Sequence, residues 1–516
     1  MSRSNKLTLL AVVAYLLVMF ATNGVFTILD DESAIVTIAG HPVIPTLNLF
    51  LFGAGQHEHP PLGDILLHAW LVATGFSFAM LRVFANLFYA ASIVLTAKSA
   101  QEIGGPRSYW VTLGLGLVWP FAYQYGRITG WYCVFLFFIS LTTRIYLRVV
   151  RDGRNHGLWL ALVLAGILAV WTNYFAVAVL LILFVDMILF HRRWAAQNAW
   201  KLAACGIAIA ISFLPLLRIA LLSLPPMPFQ GTQHFEIRSL IAVVGYPVFA
   251  LFGSAAVAPW YWLLSLPIAL SAILLLVSVW LSPGRKWLLY SAVPMVLLTL
   301  SGHMNIKRIL FLLGWLFLAF GLAAASSAPR VSRYATGAVT ALVVLGWVGI
   351  FSGKHYSTTN LYEPWRQVAD TVARDIRQDN AAVVSDNEPF FFYLNYQLGL
   401  QAETAQATAV NLAPEVYAAR GYRVFAAHDM SWPSDLLHGN VILVTGPGVE
   451  PDLEVMSNLR NLAGQKCRMT RAFQAAPDPA LALKEAFVPS AGALAYRVDV
   501  DWYQCPARGD DSPPPR

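Results

Sequence analysis

Ionisable side chains gather in one stretch near the N-terminus: Asp30, Asp31 and Glu32, then His57, Glu58 and His59 directly ahead of Pro60, Pro61 and Leu62, then Asp64. From residue 30 to residue 77 there is no Lys or Arg. A carboxylate with few cations nearby has a raised proton affinity, which suits a general base that must take a proton from a hydroxyl group. Acidic residues that are simply solvated would read the same way, so the case rests on what surrounds them. Glu58 with His57 and His59 offers one carboxylate and two imidazoles, a candidate ligand set for a divalent cation, with surface histidines as the plainer reading. Lys307, Arg308, Arg127 and Arg82 are the cations able to hold an anion on the same side.

The elements that position these groups are membrane spans. The chain of 516 residues is 57% hydrophobic and 12% charged, whereas roughly a quarter of a soluble domain is charged. Apolar runs of about twenty residues, enough to cross roughly 30 Å of hydrocarbon, recur along the first two-thirds. Candidate spans cover 7–29, 78–97, 110–125, 131–149, 158–172, 175–190, 202–222, 260–281, 287–301, 309–325 and 334–351, about eleven crossings. The segment 240–253 is a further span or an interfacial helix. The first run is long for a signal peptide and lacks a small-x-small cleavage site, so it reads as an uncleaved span.

A net charge of +7 does not point to nucleic acid, because the Lys and Arg residues fall in alternate connections rather than on one basic face. Lys98, Arg107, Arg144, Arg148, Arg151, Arg192, Arg193, Arg285, Lys286, Arg330 and Arg333 mark the cytoplasmic side. The N-terminus is then cytoplasmic, the 30–77 loop is external, and the chain sits in a bacterial inner membrane. Trp and Tyr residues at span ends read as interfacial belts. Arg82, Arg218 and Asp186, in or beside apolar runs, read as paired or snorkelling.

After residue 353 the composition becomes that of a soluble domain. A helical stripe of Trp365, Val368, Ala369, Val372 and Ile376 precedes strand-like runs at 381–385, 422–426 and 441–445. The reading is a transmembrane domain over 1–353, a periplasmic α/β domain over 354–507 and a disordered tail over 508–516. Cys467 and Cys505 bracket two β-like stretches whose antiparallel pairing would set the sulfurs opposite each other, giving a disulfide if the domain is extracytoplasmic. Neither a glycine-lysine phosphate loop nor a strand-linked GxGxxG is present, so no nucleotide cofactor is expected.

Order and spacing carry a resemblance. Asp31-Glu32 after the first span, and Glu58-His59-Pro60-Pro61-Leu62 closing the first loop, resemble elements of the GT-C glycosyltransferases that use polyprenyl-phosphate sugars. Protein O-mannosyltransferases, aminoarabinose transferases of lipid A and lipopolysaccharide-core galacturonosyltransferases belong to that group. The likeness runs through Arg82 and its neighbours at 79–87, through Tyr123-Gln124-Tyr125-Gly126-Arg127 with Trp131-Tyr132, and through Trp171-Thr172-Asn173-Tyr174-Phe175. Two positions depart: Gly130 and Asn173 stand where relatives often carry arginine and histidine.

The resemblance implies a polytopic α-helical membrane protein of GT-C type, with about 11 transmembrane helices and a C-terminal extracytoplasmic α/β domain. It implies inverting sugar transfer from a polyprenyl-phosphate donor to a lipopolysaccharide, cell-envelope glycan, lipid or protein acceptor. Asp31 would be the general base beside Glu32. Glu58, with His57 or His59, would orient a divalent metal or the donor phosphate, and Lys307, Arg308, Arg127 and Arg82 would bind that phosphate. A transporter or flippase of a lipid-linked sugar, or a non-catalytic GT-C relative, would share the span pattern, although paired Gly/Pro-interrupted helices of the transporter kind are not evident.

Overall fold

A computed structural model describes residues 3–23, 35, 39–40, 43–44, 47, 59–75, 78–222, 251–252, 261–300, 308–352, 365–385, 387–400, 412–427, 437–446, 450–475 and 498–506. The chain forms two compact units, one of residues 1–24, 42–256 and 260–352, the other of 25–41, 257–259 and 353–516.

The first unit is helical: α1 (Arg3–Thr22), α2 (Leu62–Thr74), α3 (Phe78–Val118), α4 (Pro120–Tyr125), α5 (Trp131–Arg151), α6 (His156–Val170) and α7 (Ala176–Phe190). Then follow α8 (Arg192–Gln197), α9 (Ala199–Leu222), α10 (Tyr261–Trp280), α11 (Arg285–Leu300), a 3-10 turn at Arg308–Leu312, α12 (Leu313–Ala324) and α13 (Pro329–Ser352). Among the described residues, five helices are long and apolar enough to cross a bilayer: Arg3–Thr22, Ala79–Val118, Trp131–Arg151, Ala199–Leu217 and Pro329–Val348. A sixth candidate is the pair Leu266–Trp280 and Arg285–Thr299, bent by 120°. The sequence places separate spans at 78–97 and 110–125, and α3 is two helical arms that meet at a kink between them. It breaks at Gly105, whose φ of 81° is left-handed, followed by Pro106; a proline there cannot continue the hydrogen-bond ladder, so the helix restarts in a new direction.

Every residue of α12 is buried, as befits a helix apolar on all sides. Polar side chains pin its neighbours: Thr96 on α3 donates to Ser140 on α5 at 3.2 Å, and Trp315 Nε1 donates to Thr143 Oγ1 at 2.9 Å. Trp119, Trp131, Trp287 and Trp315 are buried, so these four pack in the bundle instead of joining a belt; Trp110, Trp200 and Trp280 are exposed as a belt requires. Asp186 on α7 is buried and paired: Lys286 Nζ lies 2.7 Å away, and the hydroxyls of Tyr146 and Tyr290 both donate to the carboxylate. One side chain thereby ties together α5, α7 and α11.

The second unit carries α14 (Trp365–Asp379), β1 (Ala382–Ser385), α15 (Glu388–Leu398), α16 (Pro414–Ala419), β2 (Arg423–Ala426), β3 (Gly439–Thr445), α17 (Glu450–Lys466), β4 (Arg468–Ala475) and β5 (Val498–Cys505). The sheet order is β2-β1-β3-β5-β4. The first three strands are parallel, and β5 runs antiparallel to β3 and β4. The helical stripe of Trp365, Val368, Ala369, Val372 and Ile376 is buried on α14. Met456, Leu459 and Ala463 of α17 pack on Ala382, Val384, Val441 and Leu443, while the alternate residues Val383 and Ile442 are buried as well. A central parallel strand covered on both faces has this run of apolar residues. A disulfide joins Cys467 and Cys505; closing a loop of 38 residues contributes roughly 3–4 kcal/mol by constraining the unfolded chain.

Candidate functional site

Asp31, Glu32, His57, Glu58 and Lys307 lie outside the described residues. The described residues nearest to Asp31 and Glu58 in the helical unit are the last turn of α1, which ends at Thr22, and the entry to α2 from His59 onward.

Two arginines fix the end of α1. Arg127 donates to the Thr22 carbonyl at 2.9 Å, to Thr22 Oγ1 at 3.2 Å and to the Tyr123 carbonyl at 2.9 Å, and its guanidinium lies 4.2 Å from the Tyr123 ring centroid. Arg82 donates to the Asn23 carbonyl at 2.7 Å, and Asn86 Nδ2 donates to Asn23 Oδ1 at 3.3 Å. The last carbonyls of a helix have no partner within it, and cationic donors are a standard way to satisfy them. Arg82 and Arg127 are 4% and 1% exposed. Both are buried against the end of α1 and hydrogen-bonded to its last carbonyls.

The entry to α2 is held in a notch between α5 and the turn from α6 to α7. Leu62 N donates to the Trp171 carbonyl at 3.0 Å, and the His59 ring lies 4.7 Å from the Trp131 ring. Gly63 makes the close approach possible, since a Cβ there would stand 2.8 Å from Trp131 Cβ. Arg308 is half-buried at the start of the 3-10 turn, whose Phe311 packs 4.8 Å from Phe135 on α5, one turn beyond Trp131. Arg308 and His59 thus come to the same end of α5.

Four buried polar atoms at this end have no hydrogen-bond partner among the described residues: Asn23 Nδ2, Asn86 Oδ1, Trp131 Nε1 and Tyr174 Oη. Orphaned groups of this kind are rare in folded proteins and mark places where a ligand or solvent completes the bonding. Only the aromatic character of Trp131 and Tyr174 was visible in the sequence; the two asparagines gave no periodic signal.

Over its whole length the chain matches the crystal structure of ArnT from Cupriavidus metallidurans bound to undecaprenyl phosphate, at 13% identity and a TM-score of 0.55, with 100% of each chain covered. The apo state of ArnT from the same organism matches at 15% identity and a TM-score of 0.52, over 97% of this chain and 98% of that one. This chain has the ArnT fold. It is a helical fold with helices long and apolar enough to cross a bilayer. No protein-family model matches the chain, and no curated protein is similar to it in sequence.

Within the ArnT fold, the two departures noted in the sequence have local causes. Gly130 precedes α5 at φ 134° and ψ −162°, a region open essentially to glycine alone. The side chain of Asn173 is buried and accepts a hydrogen bond from Phe175 N at 2.9 Å, closing the turn into α7. An apolar groove of about 610 Å³ opens between α7 and α11, from Tyr174 and Phe175 past Leu181 and Val293 to Tyr290 and Asp186. Among the described residues, no three His, Cys, Asp or Glu side chains come together to hold a metal ion. Of the expected set Glu58, His57 and His59, His59 alone is described, and its ring faces Trp131.

Two expected results follow from α2. Replacing Gly63 with Val forces a side chain against Trp131, including a contact of 3.1 Å with its Cα, and overpacking of that kind costs about 1–3 kcal/mol. Thermal unfolding in detergent should show the loss, and a variant as stable as the parent would remove the close approach as a constraint. Asp64, in the first turn of α2, is half-buried and burial pushes its carboxyl up to about 7. The thirteen residues of α2 are too few to cross a bilayer. Because the folded value is raised, the folded state binds more protons between about pH 4 and pH 7, so the contribution of Asp64 to stability falls as pH rises through that window. Asp64→Asn should flatten this part of the stability profile and be the more stable protein above pH 7; a profile unchanged by the substitution would contradict it.

Proposed function

We propose that this chain transfers a sugar from a polyprenyl-phosphate donor to a hydroxyl-bearing acceptor at the outer face of a bacterial inner membrane. The supporting observation that weighs most is the full-length likeness to ArnT, a structure bound to undecaprenyl phosphate. The buried atoms of Asn23, Asn86, Trp131 and Tyr174 that have no partner among the described residues agree with it.

In this reading Asp31, with Glu32 beside it, takes the proton of the acceptor hydroxyl. The oxygen attacks the anomeric carbon, the bond from that carbon to the phosphate oxygen breaks, and the lipid phosphate leaves with the electron pair. A single displacement of this kind inverts the anomeric centre. Lys307 and Arg308 stabilise the departing charge, and Glu58, with His59 or His57, would orient a divalent cation or the donor phosphate. Arg82 and Arg127 act by holding α1. The prenyl chain has an apolar path along the groove between α7 and α11. About eleven crossings would set the N-terminus inside and the second unit outside, where Cys467 and Cys505 oxidise. The acceptor classes are lipopolysaccharide, another envelope glycan, a lipid or a protein.

The direct test supplies the purified protein with a radiolabelled prenyl-phosphate sugar and envelope extract from a strain lacking the gene. Label should pass to an envelope component, and free prenyl phosphate should accumulate in equal amount. Release of prenyl phosphate and free sugar with no labelled acceptor, or no reaction with any prenyl-phosphate sugar, would sink the reading.

A further inference from the structure

The opposite end of the first unit holds a basic pocket that sugar transfer does not use. The break in α3 at Gly105 and Pro106 sets Arg107 at the start of the second arm of that helix. Arg107 Nη2 donates to Ser332 Oγ at 3.1 Å, and Ser332 Oγ in turn donates to the Ala324 carbonyl at 2.7 Å, so the guanidinium is held over the turn from α12 to α13. Arg333 reaches the same space from α13. Together with Ser326, Ser327 and Thr336 they line a pocket of about 550 Å³.

The charge in this pocket is uncompensated among the described residues. Glu102, the acidic residue on this part of α3, is taken by Arg144 at 3.2 Å and Arg148 at 3.2 Å. Neither Arg107 nor Arg333 has a carboxylate partner among the described residues. Two guanidiniums from different helices, backed by hydroxyl donors, match the bidentate geometry of a phosphate. The depth of the pocket selects the kind of phosphate. Trp110 follows Arg107 by one turn and Tyr334 is adjacent to Arg333, and both rings are exposed, at 38% and 53%; exposed Trp and Tyr at helix ends mark the headgroup level of a bilayer. The density of Arg and Lys at this end, including Arg144, Arg148, Arg151, Arg285 and Lys286, assigns it to the cytoplasmic leaflet.

We propose that the pocket formed by Arg107, Arg333 and the hydroxyls of the α12–α13 turn binds the phosphate of an anionic phospholipid of the inner leaflet. Basic pockets between helix ends on this side suit such headgroups. Scattered snorkelling arginines would show no preference between lipids, whereas a converging pair discriminates. The site does not depend on the proposed activity, and its occupation ties the second arm of α3 to α13.

The test uses the full-length protein, delipidated in a neutral detergent, with thermal unfolding as the readout. Phosphatidylglycerol should raise the unfolding temperature saturably, as a ligand of the native state does; phosphatidylcholine and inorganic phosphate should not. Arg107→Gln with Arg333→Gln should abolish the shift. Ser326→Asp, which keeps both arginines and the Arg107–Ser332 bond but adds a negative charge, should abolish it too and serves if the double variant folds poorly. Arg192→Gln with Arg193→Gln, a basic pair elsewhere on the same side, should leave the shift intact. Equal stabilisation by phosphatidylcholine, stabilisation by inorganic phosphate alone, or a shift that survives Ser326→Asp would each overturn the proposal.

Discussion

Asp31→Asn is expected to lower sugar transfer by roughly 10²–10⁴-fold, the usual contribution of a positioned general base. The amide has the size of the carboxylate and accepts hydrogen bonds, but it cannot take a proton at neutral pH. Loss should appear in kcat and kcat/KM together, with little change in the KM for the donor, because the proton is moved in the transition state and not on binding. Insertion and unfolding temperature should stay at the parent values. The end of α1 is fixed by Arg82 and Arg127 through backbone carbonyls of Asn23 and Thr22, bonds that a substitution at residue 31 leaves untouched. Glu32→Gln provides the control at the adjacent carboxylate. Should Asp31→Asn turn over at the parent rate while Glu32→Gln does not, the base is the neighbour; if neither slows transfer, base catalysis from this pair is wrong.

Lys286→Met is expected to destabilise the protein by roughly 3–5 kcal/mol, the usual loss when one partner of a buried ion pair is removed. The side chain of Asp186 is fully buried, and its charge is met by one ammonium and two tyrosine hydroxyls from two other helices. Removing the ammonium leaves a buried carboxylate with two tyrosine hydrogen bonds and only the imidazole of His191, 3.8 Å away, beside it. Removing the carboxylate instead should cost less, because Lys286 is 34% exposed and can reach water or a headgroup. Asp186→Asn combined with Lys286→Met should recover part of the loss, since two neutral partners no longer leave a charge unpaired, and the non-additivity measures the coupling. Unfolding in detergent gives the values. A Lys286→Met protein within about 0.5 kcal/mol of the parent, the ordinary scatter of surface changes, would show that the pair does not hold α7 and α11 together.

Much of the second unit was readable from local pattern. The α14 stripe repeats at 3.6 residues and β2 alternates at two, while β1 and β3 read as short continuous apolar runs. The antiparallel pairing of β4 with β5, and the cysteines at its end, follow from the same kind of signal. In the first unit composition indicated the solvent, because a chain this apolar has to bury its backbone polar groups in helices. Span boundaries were less legible: the connection between 97 and 110 is itself largely helical, and the two helices part only at Gly105 and Pro106.

By itself, then, the sequence determined that this is a helical membrane protein with a small α/β unit, and that its carboxylates gather in one loop; the motifs there pointed to the GT-C class. Only the tertiary structure decided the partners. That Arg82 and Arg127 close the end of α1, that Gly63 meets Trp131, and that Lys286 answers Asp186 from another helix are facts of packing. Periodicity reports which face of an element is apolar, because it comes from the repeat of one backbone. Which polar group meets which across the bundle depends on how helices distant in sequence are set against each other, and no local repeat encodes that.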